Sequence, residues 1–215
     1  MSQHSSSGRP RSRTGAAAPA KPFHHGNLRQ ALLEAALAEP DIEGLSLTQL
    51  AASVGVTPAA IYRHFASRED LLSDVYRIGF DQLEARFADA FDIASPPAGA
   101  VEARTRLTRL AYAYLEFADD EPPLWRLMFG AQGAAYRASA RPLSRQSSYD
   151  YLPAALLGLR VTGVIGRTPD DRDALFAWSA IHGAATLRLG RVPAALVPLA
   201  DLAADMAERM IRSMT

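Results

Sequence analysis

The chain has 215 residues, 48% of them hydrophobic, enough apolar surface for a real core in one large or two small domains. Its 23 basic and 23 acidic side chains cancel, so net charge gives no argument for a polyanionic partner, and the absence of cysteine excludes disulfides, thiolate metal sites and a cysteine nucleophile. No apolar run approaches the roughly 20 residues that span a bilayer, and the polar N-terminus lacks a secretory signal, so a soluble, cytoplasmic protein is expected, with no membrane partner.

Residues 1–22 read as a disordered tail rich in Ser, Gly and Pro. Arg9, Arg11, Arg13, Lys21 and Arg29 all precede the first acid, Glu34, so this end is positive, either as a solubilising tail or as an arm that touches nucleic acid. Beyond it, apolar residues recur at helical spacing and alternating Val, Ile or Thr runs are scarce, which predicts an all-α fold. A first helix from Asn27 to Leu37 carries Leu28, Leu32 and Ala35 or Ala36 on one face and stops before Pro40. Ser46 and Gln49 form a capping-box pattern for a second helix, whose inner face is Leu47, Leu50, Ala51 and Val54.

Gly55 ends that helix in the left-handed conformation that glycine adopts without penalty. Thr57 is suited to an N-cap and Pro58 to the first helical position, so a third helix is expected to about Phe65, with Ile61 and Phe65 inward. Ser67 caps a long fourth helix, with Glu69 and Asp70 in its first turn and apolar contacts from Leu71, Leu72, Val75, Ile78, Leu83 and Phe87 as far as about Ile93. Ser95-Pro96-Pro97-Ala98-Gly99 is a breaker. Further helices are expected over 101–117, 122–129, 141–161, 169–189 and 194–212, with a kink or a split at Pro153 and a cap at Thr168-Pro169-Asp170-Asp171.

The second and third helices, joined by a tight glycine turn, form a helix-turn-helix, in which the front of the second member enters the major groove. Ala59 and Ala60 are small enough to let backbone approach base edges, and their methyls can pack on thymine. Tyr62 and His64 fall where sugar-phosphate oxygens run, and Arg63 and Arg68 add charge-assisted donors. The competing reading is a small three-helix core capped by Tyr62 and His64, with alanines chosen for helix propensity.

The stretch from about His25 to Phe80, above all LTQLAASVGVTPAAIYRHFASREDLL, resembles the DNA-binding domain of TetR-family transcriptional regulators. The resemblance implies that Thr57, Pro58, Ala59 and Ala60 face bases, while Ser46, Thr48, Tyr62, His64 and Arg68 contact phosphates. Arg68 stands where the family usually has Lys, keeping the charge with a forked donor set. The implied organisation is the tail at 1–22, a DNA-binding domain at 23–80 with its helix-turn-helix at 47–66, and a C-terminal ligand-binding and dimerisation domain at 81–215. The implied function is a regulator, by likeness a repressor, that binds a palindromic operator in double-stranded DNA as a homodimer and is released by a small-molecule effector.

Trp178-Ser179-Ala180-Ile181-His182-Gly183 is similar to the Trp, His, Gly pattern of one group of TetR-type C-terminal domains. Trp178 and His182 share a helix face, and Gly183 would let another helix pack close. Tyr112, Trp125, Met128, Phe129, Trp178 and His182 are the candidate ligand contacts, drawn from an aromatic and methionine reservoir that also holds Tyr114, Phe117 and Phe176. The bland alternative is core packing. Leu199, Leu202, Met206 and Met210, spaced alternately by three and four, are the candidate dimer contacts, with intrachain packing as the alternative.

His24, His25, His64 and His182 raise the question of metal or acid-base chemistry. There is no H-E-x-x-H, paired-carboxylate or G-x-S-x-G motif, so no enzyme, metal or cofactor is expected. A helical interaction module that does not read DNA is the remaining rival.

Overall fold

The computed structural model describes residues 28–133, 135–136 and 147–215, and the regular elements among them are helical. Expectations on the basic tail, His24, His25, Asn27 and the helix start at Arg141 lie outside the described residues. Helices α1 (Leu28–Leu37), α2 (Leu47–Val54) and α3 (Pro58–Ile61) form a small head with the start of α4 (Arg68–Ala90). Helices α5 (Ala100–Asp120), α6 (Pro122–Phe129), α7 (Tyr151–Val161), α8 (Asp171–Leu189) and α9 (Leu199–Met214) follow. Among the described residues no helix is long and apolar enough to cross a membrane.

The head closes over Leu32, Leu50, Ile61, Phe65, Leu71 and Leu72, each at most 1% exposed. Arg29 of α1 bonds Asp74 of α4 and lies over the Phe65 ring, which fastens α1 to α4. Helix α4 runs unbroken through residue 80, so the expected boundary between 23–80 and 81–215 falls inside one helix.

Helix α5 is the centre of the second part, packed against α4, α7, α8 and α9. At its start, Arg106 donates to the carbonyls of Ser95 and Pro96 and to the Glu102 carboxylate, and it lies over the Phe91 ring at 5.2 Å. One buried guanidinium therefore fixes the corner where α4 turns into α5. Helix α6 packs on α4 at Gly79, where an added Cβ would stand 2.5 Å from Met128 Sδ, so the missing side chain sets that spacing.

Several boundaries differ from the expectation for identifiable reasons. Helix α3 ends at Ile61, after which the amides of Arg63 and His64 turn to carbonyls three residues back. Pro153 causes no kink, because a 3₁₀ turn at Ser148–Asp150 precedes α7 and the proline sits in the first turn of α7, where its missing N–H has no helical partner to lose. The cap of α8 is Asp170 rather than Thr168: its carboxylate accepts from the amides of Arg172 and Asp173, while Asp173 reaches back to the Asp170 amide. With Arg167 also on it, the Asp173 carboxyl is held down to about 2.

Candidate nucleic-acid interface and ligand cavity

The local sequence builds most of the head as expected, with the Ser46 half of the capping box formed and no bond back from the Gln49 side chain among the described residues. Ser46 Oγ accepts from the Gln49 amide at 3.5 Å, and Gly55 turns the chain at φ 77°. Thr57 takes an extended N-cap conformation but its hydroxyl makes no capping bond, and Pro58 opens α3. Ile61 and Phe65 are buried, which forces the intervening Tyr62, Arg63 and His64 outward, and all three are exposed. Thr48, Thr57, Pro58 and Ala59 are exposed as well, while Ser46 and Ala60 are half-buried.

Arg68 is placed differently from its neighbours. Its Nε donates to the Leu45 carbonyl at 2.9 Å and its Nη2 to the Glu43 carbonyl. The guanidinium expected on a phosphate is thus occupied in tying the first residue of α4 to the α1–α2 loop.

A cavity of about 160 Å³ opens in the second part, walled by Phe80, Leu83 and Phe87 of α4, Leu110 and Tyr114 of α5, Phe129 of α6 and Trp178 of α8. Leu152 and Pro153 of α7, with Ser148 and Tyr149 ahead of it, complete the far side. Tyr149 and Leu175 line it yet are 40% and 59% exposed, so they mark the side from which it is reached.

Behind the wall, the Tyr114 hydroxyl and His182 Nδ1 are 2.8 Å apart. The imidazole stacks on Trp125 at 4.9 Å and meets the rings of Phe129 and Trp178 at 5.1 Å and 5.7 Å. Burial lowers the His182 pKa and raises that of Tyr114, so both groups stay neutral near pH 7. Trp125 Nε1 is buried and reaches no acceptor with hydrogen-bond geometry among the described residues.

Of the expected ligand contacts, Phe129 and Trp178 line the cavity, and His182 and Trp125 stand behind it through Tyr114 and Phe129. Met128 is fully buried under Gly79. Tyr112 does not line the cavity; the neighbouring Glu116 carboxylate raises its pKa, and Tyr114 takes the place assigned to it. The signal was in the spacing: Tyr114 continues the buried stripe of Leu107, Leu110 and Ala111, whereas Tyr112 falls on the face of Thr105, Thr108 and Arg109. The α4 wall was missed because Leu83 and Phe87 read as ordinary core positions and Phe80 was given no role.

The dimer candidates are also placed. Met210 is 2% exposed and, with Ala203, Ala207, Ile211 and Met214, forms the stripe by which α9 packs on its own chain. Leu199, Leu202 and Met206 flank that stripe half-buried. The outward apolar face belongs instead to α7 and α8, with Leu157, Val161, Leu175, Phe176 and Leu187 each at least half exposed.

A capped helix-turn-helix joined by one helix to a cavity-bearing helical domain defines the class of helix-turn-helix regulatory proteins. Residues 32–75 match the family model for bacterial regulatory proteins of the tetR family, and residues 107–214 match that for a tetracyclin repressor-like C-terminal domain. The chain belongs to the TetR family of bacterial regulatory proteins.

The HTH-type transcriptional repressor KstR2 of Mycolicibacterium smegmatis is 26% identical over 138 residues, which cover 63% of this chain and 60% of that protein's length. A solved protein of unknown function from Rhodococcus sp. RHA1 is 31% identical, covers 91% of this chain and 99% of its own, and superposes with a TM-score of 0.69. The fatty acid degradation regulator FadR of Bacillus halodurans shares the fold, with 16% identity, coverage of 88% and 97% of the two chains, and a TM-score of 0.63.

Proposed function

We propose that this protein is a dimeric repressor that binds a palindromic operator and lets it go when a small molecule enters the cavity. The observation that carries the reading is that one helix serves both sites. Phe80, Leu83 and Phe87 of α4 wall the cavity, while Arg68, its first residue, is bonded to the loop that leads into α2. An effector acts only by preferring the arrangement of α4 that does not fit DNA.

In this reading the exposed front of α3 enters the major groove. The Thr57 hydroxyl, which makes no capping bond, and the methyls of Ala59 and Ala60 meet base edges. Ser46 accepts from Gln49 and so keeps its own hydroxyl proton for a phosphate oxygen; Thr48, Tyr62 and His64 add further donors, and Arg63 adds charge. Arg68 positions the head and is left out of the phosphate set.

The second copy is met through α8 rather than α9. Between Asp173 and Arg188, α8 carries no formal charge. Phe176, Ala180, Gly183 and Leu187, spaced by four, three and four, share one face, and an added Cβ at Gly183 would find no atom of the described residues within 4 Å. An exposed apolar stripe with a flat centre suits its own two-fold copy. Two heads in such a dimer read half-sites about one DNA turn, roughly 34 Å, apart or a little more.

The test is selection of duplexes from a random pool by the purified full-length chain, followed by affinity measurement across salt. Enrichment of an inverted repeat and a steep loss of affinity with salt are expected. No preference for any duplex at low ionic strength would refute the reading. For the dimer, Phe176→Asp should give a monomer by sedimentation and lose operator affinity; a persistent dimer would move the interface elsewhere.

A further inference from the structure

The cavity is chemically one-sided. Among the described residues, none that lines it carries a formal charge; their side-chain polar groups are the hydroxyls of Tyr114, Ser148 and Tyr149 and the indole N–H of Trp178. A carboxylate or ammonium placed there would lose its water with no opposite charge in return. The volume of about 160 Å³ is close to that of an apolar protein cavity of about 150 Å³ known to accept benzene. One six-membered ring fills it; a longer molecule would have to leave through the open side at Tyr149 and Leu175.

The polar corner adds a second constraint. Tyr114 joins the cavity to His182, and the neutral imidazole offers a single acceptor nitrogen to share. Around the Tyr114 hydroxyl stand the indoles of Trp125 and Trp178. Donors outnumber acceptors here: both indoles turn toward the one Tyr114 oxygen, and Trp125 Nε1, on a residue 6% exposed, makes no bond of good geometry among the described residues. Either tautomer of His182 is open to the pair. When Nδ1 carries the proton it donates to the Tyr114 oxygen, and the Tyr114 O–H turns to the cavity as one more donor. What this corner lacks is an acceptor atom.

Resting on the reading of this cavity as the effector site, we propose that the effector is a neutral molecule built on a single six-membered ring and bearing one acceptor oxygen, of the aryl or alicyclic ketone class. The ring lies among Phe80, Phe129, Leu110 and Trp178, and the oxygen takes the Tyr114 hydroxyl proton.

Calorimetric titration and thermal-shift measurement on the full-length protein test this with four probes: acetophenone, ethylbenzene as its counterpart without oxygen, benzoate as the charged counterpart, and decanoate as a chain. Acetophenone is expected to bind about tenfold tighter than ethylbenzene, the worth of one hydrogen bond of about 1.4 kcal/mol, with benzoate and decanoate weaker than both. Tyr114→Phe should erase that preference while ethylbenzene still binds. A preference that survives Tyr114→Phe would overturn the assignment. Tighter binding of benzoate or decanoate, abolished by Ala174→Phe, would overturn this inference and leave the cavity as the effector site. Failure of all four probes would overturn both.

Discussion

Arg68→Ala separates two jobs that one side chain cannot do at once. The guanidinium makes two bonds to backbone carbonyls, at Leu45 and Glu43, from a side chain that is 28% exposed. A hydrogen bond from a charged group contributes about 1.5–3 kcal/mol when buried. Partial exposure and rehydration of the two carbonyls roughly halve the sum, leaving a loss of about 2 kcal/mol. In a chain of this length each kcal/mol moves the melting temperature by about 2–4 °C, so a fall of about 4–8 °C is expected in calorimetry. The salt dependence of operator affinity should keep its slope. Were Arg68 a phosphate contact instead, that slope would drop by about one with little change in melting temperature. That second pattern would refute the tether. Arg68→Lys restores charge but not the fork, so it should recover less than half of the lost stability.

Ala60→Leu should abolish operator binding by blocking groove entry while changing unfolding free energy by less than about 1 kcal/mol, as this half-buried site faces outward; urea melts beside gel shifts check both. Tyr62→Phe and His64→Ala should weaken operator and random duplex by similar factors, because phosphate contacts carry no sequence. Burial holds the His182 imidazole below its ordinary value of 6.5, so the folded chain resists a proton that the unfolded chain accepts. Stability should therefore be full above about pH 6.5 and decline below it until the folded imidazole itself titrates. Denaturant unfolding of the wild type and of His182→Gln across that range should show a shallower decline in the variant.

The head was legible because its signals are local. Ser46, Gly55, Thr57, Pro58 and Ser67 each act on their own few residues, and the buried pair Ile61 and Phe65 then dictates which side chains face out. The α8 start was misread because Thr168-Pro169 and Asp170-Asp171 both satisfy cap statistics, and only the reciprocal bond between Asp170 and Asp173 decides between them. The cavity was not legible. Its walls come from residues as far apart as Phe80 and Ile181, and a residue beside a void has the same sequence signature as one in a filled core. For α9, the stripe through Met210 was visible, but periodicity gives a face and not the identity of what covers it.

The Arg106 corner has a mechanical consequence. The Arg106 guanidinium lies over Phe91 and bonds Ser95, Pro96 and Glu102, so the C-terminal end of α4 is an anchored end about which a swing of the helix in the proposed release would turn. At 1.5 Å per residue, Phe80 lies about 17 Å from the pivot and Arg68 about 35 Å. In the proposed release, a molecule that pushed Phe80 outward by about 1 Å would swing the head by about 2 Å, a leverage set by where along the helix the cavity lies.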